Sequence, residues 1–177
     1  MSILKVARLG HPVLRKTSDK VDIEKISSEG IQRLIDDMID TMREYDGIGL
    51  AAPQVHQSLQ ISVIESEKNP RYVEAPDIEL TILINPEITY MSEKMVEGWE
   101  SCLSVKDLRG KVSRSTELNV VAFNRAGEKI ELEAKGFIAI VLQHEIDHLN
   151  GIVYLDRMKD FKSLSHMEEF QKYWAEK

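Results

Sequence analysis

The run from residue 137 to residue 148 constrains this chain most, because an apolar stretch leads directly into a cluster of ionisable side chains. The apolar run Phe137 to Leu142 continues as Gln143-His144-Glu145-Ile146-Asp147-His148. Residues four apart share one face of an α-helix, so His144 and His148 can bind the same metal ion. The apolar run indicates a buried helix, in which two histidines and two carboxylates are costly unless they are paired or bind a metal.

The pattern His-Glu-x-x-His leaves two interpretations open when it is taken alone. A neutral imidazole is a good ligand for zinc, iron or nickel, and Glu145 beside the histidines can take a proton from a metal-bound water. The alternative is a helix whose His and Glu side chains form a solvated face, since three fixed residues also coincide by chance. The first interpretation predicts metal-assisted hydrolysis.

Length and charge narrow the class of protein. A chain of 177 residues fits one domain with a sizeable core. The 23 basic and 30 acidic residues give a net charge of −7 with no polybasic run, which argues against a dedicated nucleic-acid surface. No apolar run is long enough to span a bilayer, and the first eight residues lack the apolar region of a signal peptide. The single cysteine, Cys102, excludes an internal disulfide. We therefore expect a cytoplasmic protein.

The periodicities predict an α+β fold in which mostly antiparallel strands pack around a central metal-binding helix, with further helices near the N- and C-termini. Residues 9–15 are predicted to form a turn and an extended piece, and residues 66–76 a surface loop. Predicted strands cover residues 60–65, 80–84, 95–104, 117–123, 129–134 and 152–155, and predicted helices cover 26–45, 136–149 and 161–174.

Two further stretches carry candidate functional residues. In Gly47-Ile48-Gly49-Leu50-Ala51-Ala52-Pro53-Gln54 the glycines permit close approach of another chain, and the Gln54 amide either donates into a site or lies on the surface. The third glycine of a dinucleotide fingerprint is missing, so nucleotide binding is excluded. In Glu100-Ser101-Cys102-Leu103-Ser104 the cysteine is either a small buried hydrophobe or a thiolate ligand that completes a Cys-His-His set.

These three stretches, in this order, resemble the peptide deformylase family, whose members remove the formyl group from the N-terminal formylmethionine of new bacterial proteins. The resemblance covers about Leu4 to Asp156 and includes Gly10-His11-Pro12-Val13-Leu14-Arg15. It implies a single catalytic domain over residues 1–177 that acts on formyl-Met nascent peptides and releases formate. It also implies one divalent metal ion, most commonly Fe²⁺, with Ni²⁺ or Zn²⁺ as alternatives.

The resemblance also implies the roles of the residues at the reaction centre. Glu145 matches the catalytic acid and base, and Gln54 with the backbone N–H of Leu103 matches the pair that stabilises the oxyanion. The metal ligands of the family match Cys102, His144 and His148.

The substrate peptide would pair with Gly49 and the strand around Cys102, and Arg109 would hold it beyond its first residue. A methionine side chain needs an apolar pocket. The candidates for its lining, which are equally candidates for plain core packing, are Ile48, Phe137, Ile140 and Val141.

Two departures from the family pattern lie close to the cysteine. Ser101 stands where the family usually has glycine, and Lys106-Asp107 stands where it often has a proline. The charged residues Glu100, Asp147 and Arg114 are candidates to support the metal-binding histidines, or they form an ion pair of purely structural importance.

Two rival functions use the same motif differently. A zinc peptidase would take Glu168, which lies 20 residues after His148, as its third ligand. A non-enzymatic domain would use the metal structurally, which calls for four protein ligands, or would bind peptides without cleaving them.

From Asp156 onward five basic and five acidic residues leave no net charge, so we expect ribosome contact to be weak or absent. The apolar residues there predict a helix that packs on the domain: Phe161, Leu164, Met167, Phe170 and Trp174.

Overall fold

The structure is a computed structural model that describes residues 2–67, 69 and 75–175. The strands are β1 (Gly49–Ala51), β2 (Ile61–Ser66), β3 (Ile78–Met91), β4 (Met95–Cys102), β5 (Val105–Ser115), β6 (Glu117–Phe123), β7 (Lys129–Lys135) and β8 (Ser165–His166). The helices are α1 (Glu29–Glu44), α2 (Phe137–Leu149), α3 (Tyr154–Arg157) and α4 (Met167–Tyr173). Short 3₁₀ turns span Pro12–Arg15, Ile23–Lys25 and Ala52–Val55.

The strands form two antiparallel sheets, which confirms the predicted α+β class. One sheet has the order β1-β2-β3-β6-β7 and the other the order β4-β5-β8. Apolar residues at alternating positions place one face of a strand in the core, for example in β6, where Leu118, Val120 and Ala122 are buried. Strands β1 and β4 each lie at an edge of their sheet, and both edges face the metal centre described below.

Helix α2 lies in the middle of the molecule. It contacts strands from both sheets, namely β1, β2, β5 and β7. Its apolar residues join one core with Ile64, Leu83 and Leu118, while α1 closes a second core over β1 and β2. Nearly the whole circumference of α2 is buried, so its polar side chains lie inside the protein and need partners there.

Several local predictions were wrong. Residues 152–155 do not form a strand, because α3 begins at Tyr154, and residues 12–15 form a 3₁₀ turn instead of an extended piece. The predicted helix at 161–174 is reduced to α4, preceded by β8. Strands β1 and β5 were not predicted. The predicted strand at 80–84 and the extended segment predicted at 87–90 are one strand, β3, which Asn85-Pro86 does not end. The predicted loop at 66–76 lies partly outside the described residues.

None of the helices in the described ranges is both long and apolar enough to cross a membrane.

Candidate metal centre

Three side chains from two elements converge beside α2. His144 and His148 lie one turn apart on this helix, and Cys102 ends β4 opposite them. Their ligand atoms all lie within 4.8 Å of one another, and the Cys102 Sγ is 3.2 Å from the His148 Nε2. Within the described part of the chain, these are the His, Cys and acidic side chains that gather closely enough to hold a metal ion.

The chemistry of these donors fits a divalent metal. Burial alone would raise the pKa of the Cys102 thiol, but the imidazoles of His148 and His144 hold that pKa well below its usual range. The site therefore offers a thiolate and two imidazoles, a set that suits zinc, iron or nickel. Three protein ligands leave a fourth position open, as a catalytic site requires.

A buried chain of ion pairs supports the first histidine. The His144 Nδ1 donates to Glu100 Oε2 at 2.8 Å, and Arg114 donates to both oxygens of Glu100 at 2.7 and 3.0 Å. Although burial raises the pKa of Glu100, His144 and Arg114 lower it to about 2, so this carboxylate is ionised. The hydrogen bond fixes the ring so that its Nε2 faces the metal centre.

The chain of charges continues through the helix to the surface. Arg114 also donates to Asp147 Oδ2 at 2.5 Å, and Arg157 donates to Asp147 Oδ1 at 2.6 Å. The candidates Glu100, Asp147 and Arg114 are thus one network that touches a metal-site histidine, and not an isolated ion pair. Arg157 could not be found from the sequence, because an exposed basic side chain in a helix has no distinguishing pattern.

Glu145 points into the site against a glycine. Its Oε2 is buried and has no hydrogen-bond partner among the described residues. Burial raises the pKa of Glu145 to about 7. A Cβ added to Gly49 would lie 2.8 Å from the Glu145 Cγ and closer still to its carboxylate, so only glycine leaves room for this side chain. A carboxylate that titrates near neutrality can both accept and return a proton.

The amide of Gln54 also points into the site. Its Oε1 accepts a hydrogen bond from the Ala51 N–H at 2.8 Å, which leaves the NH₂ group to face the cysteine. The Gln54 Nε2 lies 3.4 Å from both the Cys102 Sγ and the Ser104 Oγ. Gln54 is therefore a buried donor and not a surface side chain. Ser104 was not singled out in the sequence, although it follows the cysteine by two residues.

An apolar cavity of about 90 Å³ opens beside these groups. The residues predicted to contact the methionine residue of the substrate all line it: Ile48, Gly49, Phe137, Ile140 and Val141. Gln54, Leu103 and the metal-site side chains other than His148 line it too. Gly47 and Trp99, which were not predicted, line it as well. Arg109 does not line it and lies in a neighbouring cavity that shares Ser101, Cys102 and Leu103. Glu168 is exposed on α4 and outside the metal cluster, so the peptidase alternative lacks its third ligand.

Three side chains that could hold one metal ion, beside a buried carboxylate and an apolar pocket, are the arrangement that a metal-dependent hydrolase needs. Residues 3–164 match the family model of polypeptide deformylase. The chain is 41% identical to peptide deformylase 2 of Nostoc sp. over 169 residues, which cover 96% of this chain and 93% of that one. It is 43% identical to peptide deformylase 1 of Prochlorococcus marinus over 172 residues, which cover 97% and 88%.

Solved structures agree. A class I type b peptide deformylase from Acinetobacter baumannii with Met-Ala-Ser bound superposes with a TM-score of 0.86 at 40% identity, covering 89% of this chain and all of that one. The peptide deformylase of Thermotoga maritima superposes with a TM-score of 0.80 at 35% identity and covers 90% of this chain. The chain belongs to the polypeptide deformylase family. It is a hydrolase that removes the N-formyl group from newly made polypeptides and, like its family, uses a divalent metal.

Proposed function

We propose that Cys102, His144 and His148 bind the divalent metal of this deformylase and that Glu145 is its general base and acid. The observation that carries the proposal is the convergence of the three ligand atoms within 4.8 Å next to a buried carboxylate oxygen without a hydrogen-bond partner in the described residues. When bound, the metal supplies Lewis acidity, which lowers the pKa of water and polarises the formyl oxygen.

Glu145 moves the proton in this proposal. Its carboxylate takes a proton from the attacking water as the water oxygen bonds to the formyl carbon. It then gives that proton to the amine nitrogen of methionine as the carbon–nitrogen bond breaks, which yields formate and a free N-terminus. Because the pKa of Glu145 is raised to about 7, the carboxyl group can both accept and donate a proton at neutral pH.

The negative charge that develops on the formyl oxygen meets two fixed donors. The Gln54 NH₂ is held by the hydrogen bond from Ala51 N–H to its Oε1, and we assign the second donor to the backbone N–H of Leu103. Donors that are fixed before the reaction stabilise the transition state by about 3 kcal/mol each.

The methionine side chain would occupy the apolar cavity between Ile48, Phe137, Ile140 and Val141. The peptide would run between two strand edges, since β1 pairs only with β2 and β4 only with β5 among the described strands. Gly49 and the end of β4 would then form backbone hydrogen bonds with the substrate, as an added strand does. Arg109, in the adjoining cavity, would contact the peptide beyond its first residue.

We further infer that the native metal is Fe²⁺, with Ni²⁺ or Zn²⁺ able to replace it, because the family resemblance favours iron and the thiolate–imidazole set accepts all three. Fe²⁺ beside a thiolate reacts with oxygen, and the cysteine is then oxidised. In air, the iron-loaded protein should lose its activity while the nickel-loaded protein is still active. Equal half-lives in air would contradict the assignment.

The same proposal treats residues 1–177 as one catalytic domain that meets formyl-Met nascent peptides in the cytoplasm, with weak ribosome contact at most. It is tested by formate release from a formyl-Met peptide, with protein purified and loaded with iron without oxygen. We expect turnover that depends on added metal and stops on chelation. Equal turnover of the metal-free protein would contradict the proposal.

A further inference from the structure

A second cavity, of about 610 Å³, adjoins the metal centre. The two cavities share Ser101, Cys102 and Leu103, so the end of β4 is the wall between them. A peptide whose methionine side chain fills the first cavity has to leave across this wall. At about 3.3 Å per residue, the third and fourth residues of an extended substrate reach the second cavity.

The C-terminal segment builds the far wall of this cavity. Met167 and Gln171 are four residues apart on α4 and therefore lie on the same helical face, and both line the cavity. Strand β8 holds α4 in this place by pairing with β5, with Arg109 opposite Ser165. The Arg109 guanidinium stacks over the Phe170 ring at 4.6 Å, which keeps its charge at the cavity.

The cavity is cationic on an acidic protein. Three basic side chains, Arg8, Lys106 and Arg109, line it against the Asp107 carboxylate, while the chain as a whole carries −7. The Cys102 thiolate lies at the wall shared with the metal centre, where the divalent metal of the proposed function would offset its charge. Lys106 and Asp107 are both exposed, with charged atoms 3.9 Å apart, so Asp107 offsets one of the three positive charges and two remain. Charges elsewhere on the protein are screened beyond about 8 Å at physiological salt, so the local excess of positive charge decides what enters.

We propose that this second cavity selects nascent chains with acidic side chains at the third and fourth residues. The inference rests on the proposed function, because it takes the peptide to leave the metal centre across β4. One opposed pair of charges about 7 Å apart in water changes an equilibrium about threefold. With two net positive charges facing the peptide, one acidic residue at this distance is preferred over a neutral one by about tenfold in kcat/KM at low salt, and a basic residue is disfavoured further.

The test uses the metal-loaded full chain and the amides formyl-Met-Ala-X-X, with X as Glu, Gln or Lys. The amide removes the terminal carboxylate, which would otherwise imitate an acidic side chain. We expect kcat/KM to fall in the order Glu, Gln, Lys, and the preference to shrink in 0.5 M NaCl, a concentration at which the screening length is about 4 Å. A Lys peptide that reacts as fast as the Glu peptide overturns the proposal.

Lys106 provides the matched variants, since its side chain is exposed and its replacement leaves the fold intact. Lys106→Gln should reduce the Glu-to-Gln preference about threefold, and Lys106→Glu should reduce it further. Lys94→Gln and Lys94→Glu change the net charge equally at the exposed β3–β4 turn and should leave the preference unchanged. Equal effects at the two lysines would assign the preference to overall charge and overturn the proposal.

Binding separates this inference from the proposed function. The deformylated amides Met-Ala-X-X, titrated calorimetrically, should bind in the same order of X without any turnover. If no formyl peptide is hydrolysed and that order still holds, the proposed function fails and the charge selection stands. If hydrolysis proceeds and neither rate nor binding depends on X, the charge selection fails alone.

Discussion

Helix α2 and the C-terminal segment, residues 158–175, were both predicted to be packed helices from their apolar residues, but they have different structures. Nine of the thirteen residues of α2 are buried, and it has nearly the predicted bounds. In the C-terminal segment only residues 167–173 are α-helical, and Phe161 and Trp174 are 67% and 57% exposed. Phe170 is 9% exposed and packs on Trp99, with ring centroids 4.9 Å apart. A periodic apolar pattern therefore becomes a buried helix only where other elements supply a surface on several sides.

The two regions also differ in what holds them. Around α2, buried ionic hydrogen bonds join Glu100, Arg114, Asp147 and His144, and removal of one partner leaves a charge inside the protein. The C-terminal segment is held by a two-residue strand pairing, one hydrogen bond from the Lys111 N–H to Ser163, and contacts of Phe170 and Trp174 at the protein surface. We therefore expect substitutions near α2 to change metal binding and catalysis, and substitutions in the C-terminal segment to change mainly thermal stability.

Loss of the thiolate ligand should have the largest effect. Cys102→Ser replaces a thiolate by a hydroxyl, a far poorer ligand for zinc, iron or nickel. The metal content measured by elemental analysis should fall from about one ion per chain to near zero, and formate release should stop. Glu168→Gln is the control, and it should keep its metal. The reverse pattern would restore the peptidase interpretation.

Gly49→Ala should remove activity without removing a ligand. The new Cβ overlaps the Glu145 carboxylate, so that side chain has to move. A displacement of about 1 Å at the reacting groups costs about 100-fold in rate, which we expect in kcat/KM with the metal content unchanged. Gly98→Ala on β4 is the matched control, since a Cβ there meets nothing within 4 Å. Similar rates for the two variants would refute the steric role of Gly49.

Glu100→Gln should weaken metal binding by about 10- to 100-fold, as expected when the carboxylate behind a ligating histidine is lost. Competition with a chelator of known affinity measures the change. Glu97→Gln, three residues earlier on the same strand and exposed, alters the charge equally and should bind metal like the unmodified protein. If both variants bind alike, His144 is oriented by something other than Glu100.

Phe170→Ala should have the smallest effect on the metal centre and should act mainly on stability. Loss of its contacts with Trp99 and Arg109 costs about 3 kcal/mol, the low end for removal of a buried phenylalanine ring. Calorimetry should show a Tm lower by about 6–12 °C, with the metal content unchanged. Phe161→Ala, at an exposed position, should leave Tm within about 2 °C.

The sequence predicted the metal site better than the strands around it. Ligand spacing on a helix is a local property, so His144 and His148 could be placed without the fold. Strand β5 was missed because its buried positions include Gly110 and Arg114, which hide the usual apolar alternation. Arg114 is tolerated there only because Glu100 and Asp147, distant in sequence, supply its partners. The cavity beyond the metal centre was missed because it is assembled from the start, middle and end of the chain.

The central claim is that Glu145 moves the proton and does not hold the metal. It is tested most directly by measuring metal content and formate release on the same sample of Glu145→Gln, an isosteric change that removes the base. The account predicts about one metal ion per chain and a kcat lower by about 1,000-fold, within the range for loss of a general base. Loss of the metal, or turnover close to that of the unmodified protein, would contradict it.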